Sequence, residues 1–236
     1  MDLLAPFREA PKEAALLFDV DGTLASIAPR PDLARVPDET RAELERLAGS
    51  YLLVACISGR AGEEAASLVG VEGIRYVGNH GLELYARAKD FAVQIAEFRD
   101  AVALPVEDKR LSLSYHYRGA EDEEQARSEL EEVAERARAE GLDPRWGRKV
   151  LEIRPAVAAD KGTAVRALLA AVPARLGLYA GDDRTDLDAF AGLAGAGLDH
   201  AVRIAVESEE GPAELAAGAD MIVAGPDELA RLLRAL

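Results

Sequence analysis

The apolar run Ala14-Ala15-Leu16-Leu17-Phe18 stops at Asp19-Val20-Asp21-Gly22-Thr23, and that junction limits the possible folds more than any other stretch. An apolar run bounded this sharply suits a strand covered on both faces, as in a parallel sheet. On an extended chain, residues two apart project the same way, so Asp19 and Asp21 address one point beyond the strand end. Gly22 permits the sharp turn that follows. In open α/β sheets, ligands collect outside the carboxyl ends of the strands. Two carboxylates this close repel, and each resists ionisation unless a cation lies between them. The pattern points to a magnesium site with one aspartate available to attack phosphorus. The competing reading is a surface turn, where Asp-Gly is common.

Three later segments repeat the grammar. The run 51–57 reads as a second buried strand and ends in Ser58-Gly59-Arg60, with a helical pattern over 63–69 behind it. A hydroxyl between a strand end and a helix start is a good donor to a phosphate oxygen; helix capping by Ser58 is the plainer alternative. A third strand over 74–77 ends in Gly78-Asn79-His80-Gly81, either a glycine-rich turn or backbone brought close to a ligand. No second histidine or cysteine neighbours His80, so a sugar-hydroxyl contact or loop support suits it better than metal ligation. Asp160-Lys161-Gly162-Thr163 opens a helix with a lysine that opposes the helix dipole. A phosphate anion would give that lysine a reason; a tolerated surface lysine is the alternative. The strand over 176–180 ends in Gly181-Asp182-Asp183-Arg184-Thr185-Asp186, where clustered carboxylates demand cations or helix N–H groups. Strands over 201–206 and 221–223 and a helix over 226–236 complete an alternating β/α pattern.

Between these parts the character changes. A helix is expected over 91–102. Residues 110–118 alternate apolar and polar, the mark of a half-buried antiparallel strand. Residues 121–141 form a charged helix with Leu130, Val133 and Ala137 as its inward stripe. A further strand, 149–154, is stopped by Pro155, and Trp146 either packs or flanks a sugar. The fold expected is α/β: a doubly wound, mainly parallel sheet core over 1–83 and 157–236, with a smaller α+β module inserted over 84–156.

Composition narrows the partners. The chain has 236 residues and a net charge of −15, which disfavours nucleic acid and anionic membrane surfaces. The one cysteine, Cys56, excludes an internal disulfide and lies in an apolar run, as a buried thiol would. No signal-like start and no stretch of membrane-spanning length is present. A soluble, cytoplasmic monomer acting on a small molecule is expected.

With D-x-D-G-T, S-G-R, the D-K-G lysine and G-D-D-x-T-D in place, the chain resembles the haloacid dehalogenase superfamily of aspartyl-phosphate hydrolases. Gly78-Asn79-His80-Gly81 and Glu152-Ile153-Arg154-Pro155 narrow the resemblance to the trehalose-6-phosphate phosphatase family. Leu187 stands where that family usually has glutamate. The resemblance implies the HAD-like Rossmannoid core with a mobile cap. It implies Asp19 as nucleophile and Asp21 as general acid and base. It implies Mg2+ held by Asp19, Asp182 and the Asp21 carbonyl, with Asp183 and Asp186 on metal waters or neighbouring groups. Ser58 and Lys161 would grip the phosphate. Gly22, Thr23, Gly59, Arg60, Asn79, His80, Arg118, Arg148 and Glu152 would meet the substrate. Glu152 could instead pair with an arginine of its own sheet. Sucrose 6-phosphate, mannosylphosphoglycerate or a smaller sugar phosphate would fit the same core, and a non-catalytic phospho-acceptor module is the alternative outside enzymes.

Overall fold

The structure, a computed structural model, describes residues 2–28, 30, 33–147, 149–208 and 211–236. α1 (Ala5–Glu9) leads into β1 (Ala14–Phe18), which is buried along its whole length. α2 (Asp38–Ser50) starts with two acids that suit the positive end of its dipole and turns Leu44 and Leu47 inward. β2 (Leu53–Ile57), α3 (Gly62–Val69) and β3 (Arg75–Val77) follow. Next come α4 (Ala88–Ala101), β4 (Glu107–Asp108), β5 (Leu113–His116), α5 (Glu123–Ala139), β6 (Leu142–Gly147) and β7 (Val150–Pro155). The chain ends with α6 (Lys161–Ala170), β8 (Leu176–Gly181), α7 (Asp186–Ala194), β9 (His200–Val206), α8 (Ala213–Gly218), β10 (Met221–Val223) and α9 (Pro226–Arg234).

Contacts divide these elements into two units. One holds residues up to Gly81 together with Ala159–Leu236; the other is Leu82–Ala158. In the first, the sheet order is β10-β9-β8-β1-β2-β3, every pair parallel. The chain winds outward from β1 through β2 and β3, then resumes on the other side with β8. The direction of winding therefore reverses between β1 and β8, which pair from Ala14↔Leu176 to Phe18↔Ala180. Such a switch leaves a crevice at the carboxyl ends of the two strands. Leu16, Phe18, Val54, Cys56, Leu178 and Ile204 cover one face of the sheet as a continuous core. Each large side chain buried there contributes roughly 1.5–3 kcal/mol.

In Leu82–Ala158 the order β4-β5-β7-β6 is antiparallel throughout. Leu113, Tyr115, Leu151 and Ile153 pack with Ile95 and Phe98 of α4 and with Leu130, Val133 and Ala137 of α5. The opposite face carries the row Ser114, Glu152 and Arg145, aligned across β5, β7 and β6.

Several sequence expectations are corrected. The strand expected over 110–118 is shorter, Leu113–His116, because Arg110 takes φ 66° in the turn that joins it to β4, its N–H donating to Asp108 Oδ1 at 2.7 Å. Pro155 does not stop β7; it is its last residue, opposite Leu142 at the end of the ladder, where a missing N–H is tolerated. The strand expected over 51–57 begins only at Leu53, because Tyr51 belongs to the end of α2, its N–H donating to Leu47 O. α8 had no sequence signal that reached a full helical period. Among the described residues, no helix is long and apolar enough to cross a membrane.

Candidate active site

Asp19 follows β1 and Asp182 follows β8, so the switch point sets them side by side. Asp19, Asp182 and Asp186 each present a carboxylate oxygen within 4.8 Å of the others, all three buried. The backbone makes room for this. Gly22 has φ +83°, and a Cβ there would lie 2.1 Å from Asp182 Oδ2. A Cβ on Gly181 would lie 2.2 Å from Asp186 Cγ. Both glycines let a carboxylate lie flat against the main chain. Thr23 Oγ1, fully buried, donates to Asp182 Oδ1 at 3.3 Å.

Lys161 is the first residue of α6 and is 2% exposed. Asp160 caps the helix through a box closed with Thr163, so Lys161 is not needed for the helix end. Its Nζ lies 2.8 Å from Asp19 Oδ1, 2.8 Å from Asp186 Oδ1 and 3.8 Å from Asp183 Oδ1. These carboxylates offset the unfavourable dipole position. Burial works against the ammonium, but Asp186 and Asp19 outweigh it and hold its pKa well above the usual lysine value. Lys161 is therefore a fixed cation.

Asp186 uses all its lone pairs. Oδ1 accepts from Lys161 Nζ at 2.8 Å and from the Tyr179 hydroxyl at 2.6 Å. Oδ2 accepts from the N–H groups of Asp182 and Asp183, both at 2.9 Å. A carboxylate has about four acceptor directions, so Asp186 has none left for a cation. It folds the Asp182 loop and steadies Lys161. Tyr179 was absent from the sequence reading; its polar tip in an otherwise apolar strand was the available signal.

The acids outnumber the buried ammonium, and their pKa values follow. Burial pushes the Asp19 carboxyl well above the usual range; Lys161 opposes this, and the charges of Asp186, Asp183 and Asp182 reinforce it. Burial, with the charges of Asp186 and Asp183, raises Asp182 to about 6. Burial would also raise Asp183, but Lys161 and hydrogen bonds from Thr185 bring it down to about 2. Asp19 and Asp182 thus converge with negative charge that Lys161 does not balance. A hard, oxygen-seeking divalent cation fits that donor set.

The rim comes from the β2 and β3 ends. Ser58 does not cap α3, whose N-cap is Ala61. Its Oγ accepts from Arg60 N–H at 3.1 Å, leaving its own O–H to donate, and it is 1% exposed. His80 N–H donates to Ser58 O at 2.9 Å. Asn79 and His80 both take φ 51°, strained for non-glycine residues, before Gly81 at φ 99°. A Cβ on Gly59 would lie 2.8 Å from the His80 ring, so these two turns pack tightly. Arg60 points at Asp21, with Nε 2.7 Å from Oδ2 and Nη2 2.6 Å from Oδ1.

In Leu82–Ala158, Glu152 is half-buried on β7. Arg145, opposite it in register, pairs with Asp143 at 2.8 Å instead. Arg118 is exposed beyond β5, near Glu123. Arg148 lies outside the described residues. Trp146 packs edge-on against Tyr117, with centroids 6.2 Å apart. Cys56 is buried, and burial pushes its thiol up, as suits an inert core residue.

The parallel sheet and the inserted antiparallel unit give the chain a haloacid dehalogenase-like fold, with aspartates at its strand ends. A solved haloacid dehalogenase-like hydrolase from Bacteroides thetaiotaomicron shares the fold, with TM-score 0.61 and 15% identity over 95% of this chain and 99% of that one. A solved trehalose-6-phosphate phosphatase related protein aligns with TM-score 0.73 and 24% identity, covering 93% of this chain and 95% of that one. Residues 17–218 match the trehalose-phosphatase family, and the chain belongs to it. A trehalose-phosphate phosphatase of Mycobacterium marinum is 36% identical over 202 residues, 75% of this chain and 50% of that protein. The chain thus spans about half the length of that curated relative. Phosphatases of this superfamily generally use a divalent metal, for which the buried carboxylates of Asp19 and Asp182 are suited.

Proposed function

We propose that the chain hydrolyses trehalose 6-phosphate to trehalose and phosphate, a step of trehalose biosynthesis, through a phosphoryl group carried on Asp19. The observation that carries this reading is the meeting of Asp19, Asp182 and Lys161 at the switch point, with Lys161 Nζ 2.8 Å from Asp19 Oδ1. Family membership supplies the substrate class. Magnesium, held by the carboxylates of Asp19 and Asp182 and the Asp21 carbonyl, would neutralise charge on the nucleophile and the phosphate.

The chain's own groups do the rest. An oxygen of Asp19 attacks phosphorus as the bond from phosphorus to the sugar oxygen breaks. Asp21 gives its proton to that oxygen. Asp21 then takes a proton from the water that attacks phosphorus, and Asp19 is released. Ser58 donates its hydroxyl to the phosphate, and Lys161 offsets the like charges of phosphate and Asp19. Asp183 and Asp186 hold the Asp182 loop and Lys161 in place. Selection among sugar phosphates would fall to Leu82–Ala158, with half-buried Glu152 as the candidate acceptor for a sugar hydroxyl.

The test is phosphate release from trehalose 6-phosphate against sucrose 6-phosphate, mannosylphosphoglycerate and glucose 6-phosphate, with and without EDTA. The highest kcat/KM is expected for trehalose 6-phosphate. EDTA should abolish turnover and added magnesium restore it. A higher kcat/KM on another ester overturns the substrate, and full activity in EDTA overturns the metal.

A further inference from the structure

Arg60 and Asp21 are 39 residues apart in sequence and meet through two parallel hydrogen bonds, 2.7 Å from Nε and 2.6 Å from Nη2. A forked contact of this kind fixes the plane of the carboxylate as well as its position. The Arg60 side chain is 16% exposed and that of Asp21 38%. Both are delivered by pinned backbone. Arg60 N–H donates to Ser58 Oγ at 3.1 Å, and its carbonyl accepts from Asn79 N–H at 2.8 Å. Asp21 opens a loop closed by Gly22 N–H to Ala25 O at 2.7 Å and Ala25 N–H to Val20 O at 2.9 Å. Among the described residues, Lys161 and Arg60 face different acids. Lys161 pairs with Asp19, Asp183 and Asp186. Arg60 pairs with Asp21, whose carboxylate occupies the Nε–Nη2 edge of the guanidinium.

We propose that Arg60 is a positioning residue for the proton-transfer step: it aims the Asp21 carboxyl group at the reacting oxygens and does not grip the phosphate. The proposal rests on the phosphatase reading above. In the first half-reaction the Asp19 oxygen–phosphorus bond forms, the sugar oxygen–phosphorus bond breaks, and the Asp21 proton goes to the sugar oxygen. In the second, water's oxygen bonds to phosphorus, the Asp19 bond breaks, and a water proton returns to Asp21. Misdirecting Asp21 slows the first half-reaction only when the leaving oxygen needs a proton. A sugar alkoxide needs one; p-nitrophenolate does not.

The experiment measures single-turnover release of the leaving group from trehalose 6-phosphate and from p-nitrophenyl phosphate. It compares the wild type, Arg60→Lys, Arg60→Gln, Asp21→Asn and the double variant Arg60→Gln/Asp21→Asn. Arg60→Lys keeps the charge and loses the fork. Both Arg60 variants should release trehalose at least about tenfold more slowly, within the range of general-acid effects. Their p-nitrophenolate burst should stay within about threefold of wild type, which also reports a folded site. Asp21→Asn should lose at least as much on trehalose 6-phosphate as either Arg60 variant, and the double variant should be little worse than Asp21→Asn alone. Equal slowing on both esters, or KM rising on both with kcat unchanged, would assign Arg60 to the phosphate and overturn the proposal. Unchanged trehalose release would overturn it too. A wild type that turns over neither ester removes the phosphatase reading, and the proposal with it; that result is distinct from a failure confined to the variants.

Discussion

Asp186 accepts hydrogen bonds from Lys161, from Tyr179 and from two backbone amides, and its side chain is fully buried. Its spacing after Asp182 was legible in the sequence, but its work was not. Lys161 lies 25 residues away and Tyr179 seven, on a helix and a strand that only the fold brings together. The same holds for Thr23 and Asp182, 159 residues apart, and for Arg60 and Asp21. Local sequence marks which residues are polar at a strand end; it does not say which of them pair. Tyr179→Phe removes one donor from a buried carboxylate while keeping the ring that packs edge-on against Phe190. Stability should fall by about 1–2 kcal/mol. Turnover should fall by roughly fivefold, as Lys161 is drawn toward the undersatisfied oxygen and away from Asp19, with little change in KM. Thermal unfolding and steady-state kinetics decide it; wild-type values for both would show that the hydroxyl is idle.

α6 and α7 come closer than side chains normally allow. A Cβ on Gly192 would lie 2.5 Å from Gly162 O and 2.6 Å from Gly162 Cα, and one on Gly162 would lie 2.2 Å from Asp188 O. This approach carries Lys161, at the head of α6, to Asp186, at the head of α7. Gly192→Ala forces the helices apart while touching no active-site group. It should cost about 2 kcal/mol or more, as overpacking does. It should also lower kcat by more than about tenfold, because displacing a catalytic group by an ångström is that costly. Unfolding and turnover measured together test it, and a variant with wild-type kcat would show that the approach does not set Lys161. At this scale the strands were the legible elements. Buried parallel strands read as unbroken apolar runs, and their polar ends stand out against them. The hairpin at Arg110 was not legible, because left-handed backbone at an arginine has no sequence mark. Nor was α8, too short to show a helical period.

Over the whole chain, the alternating β/α order and the insert were readable from the sequence, and the sheet order was not. Placing β8 beside β1 turns separate acidic strand ends into one site, since it sets Asp182 against Asp19. The net charge of −15 makes any anionic substrate an uphill partner, so on the proposed reading Lys161 and a bound divalent cation would supply the local positive potential. Asp19 is the group on which that arrangement closes. Acid-quenching the enzyme during turnover of trehalose 6-phosphate, then digesting it and weighing the peptides, tests this directly. The account predicts a mass increase of one phosphoryl group on the peptide at Asp19, absent without magnesium and absent in Asp19→Asn. A phosphoryl group on another residue, or full turnover by Asp19→Asn, would contradict it.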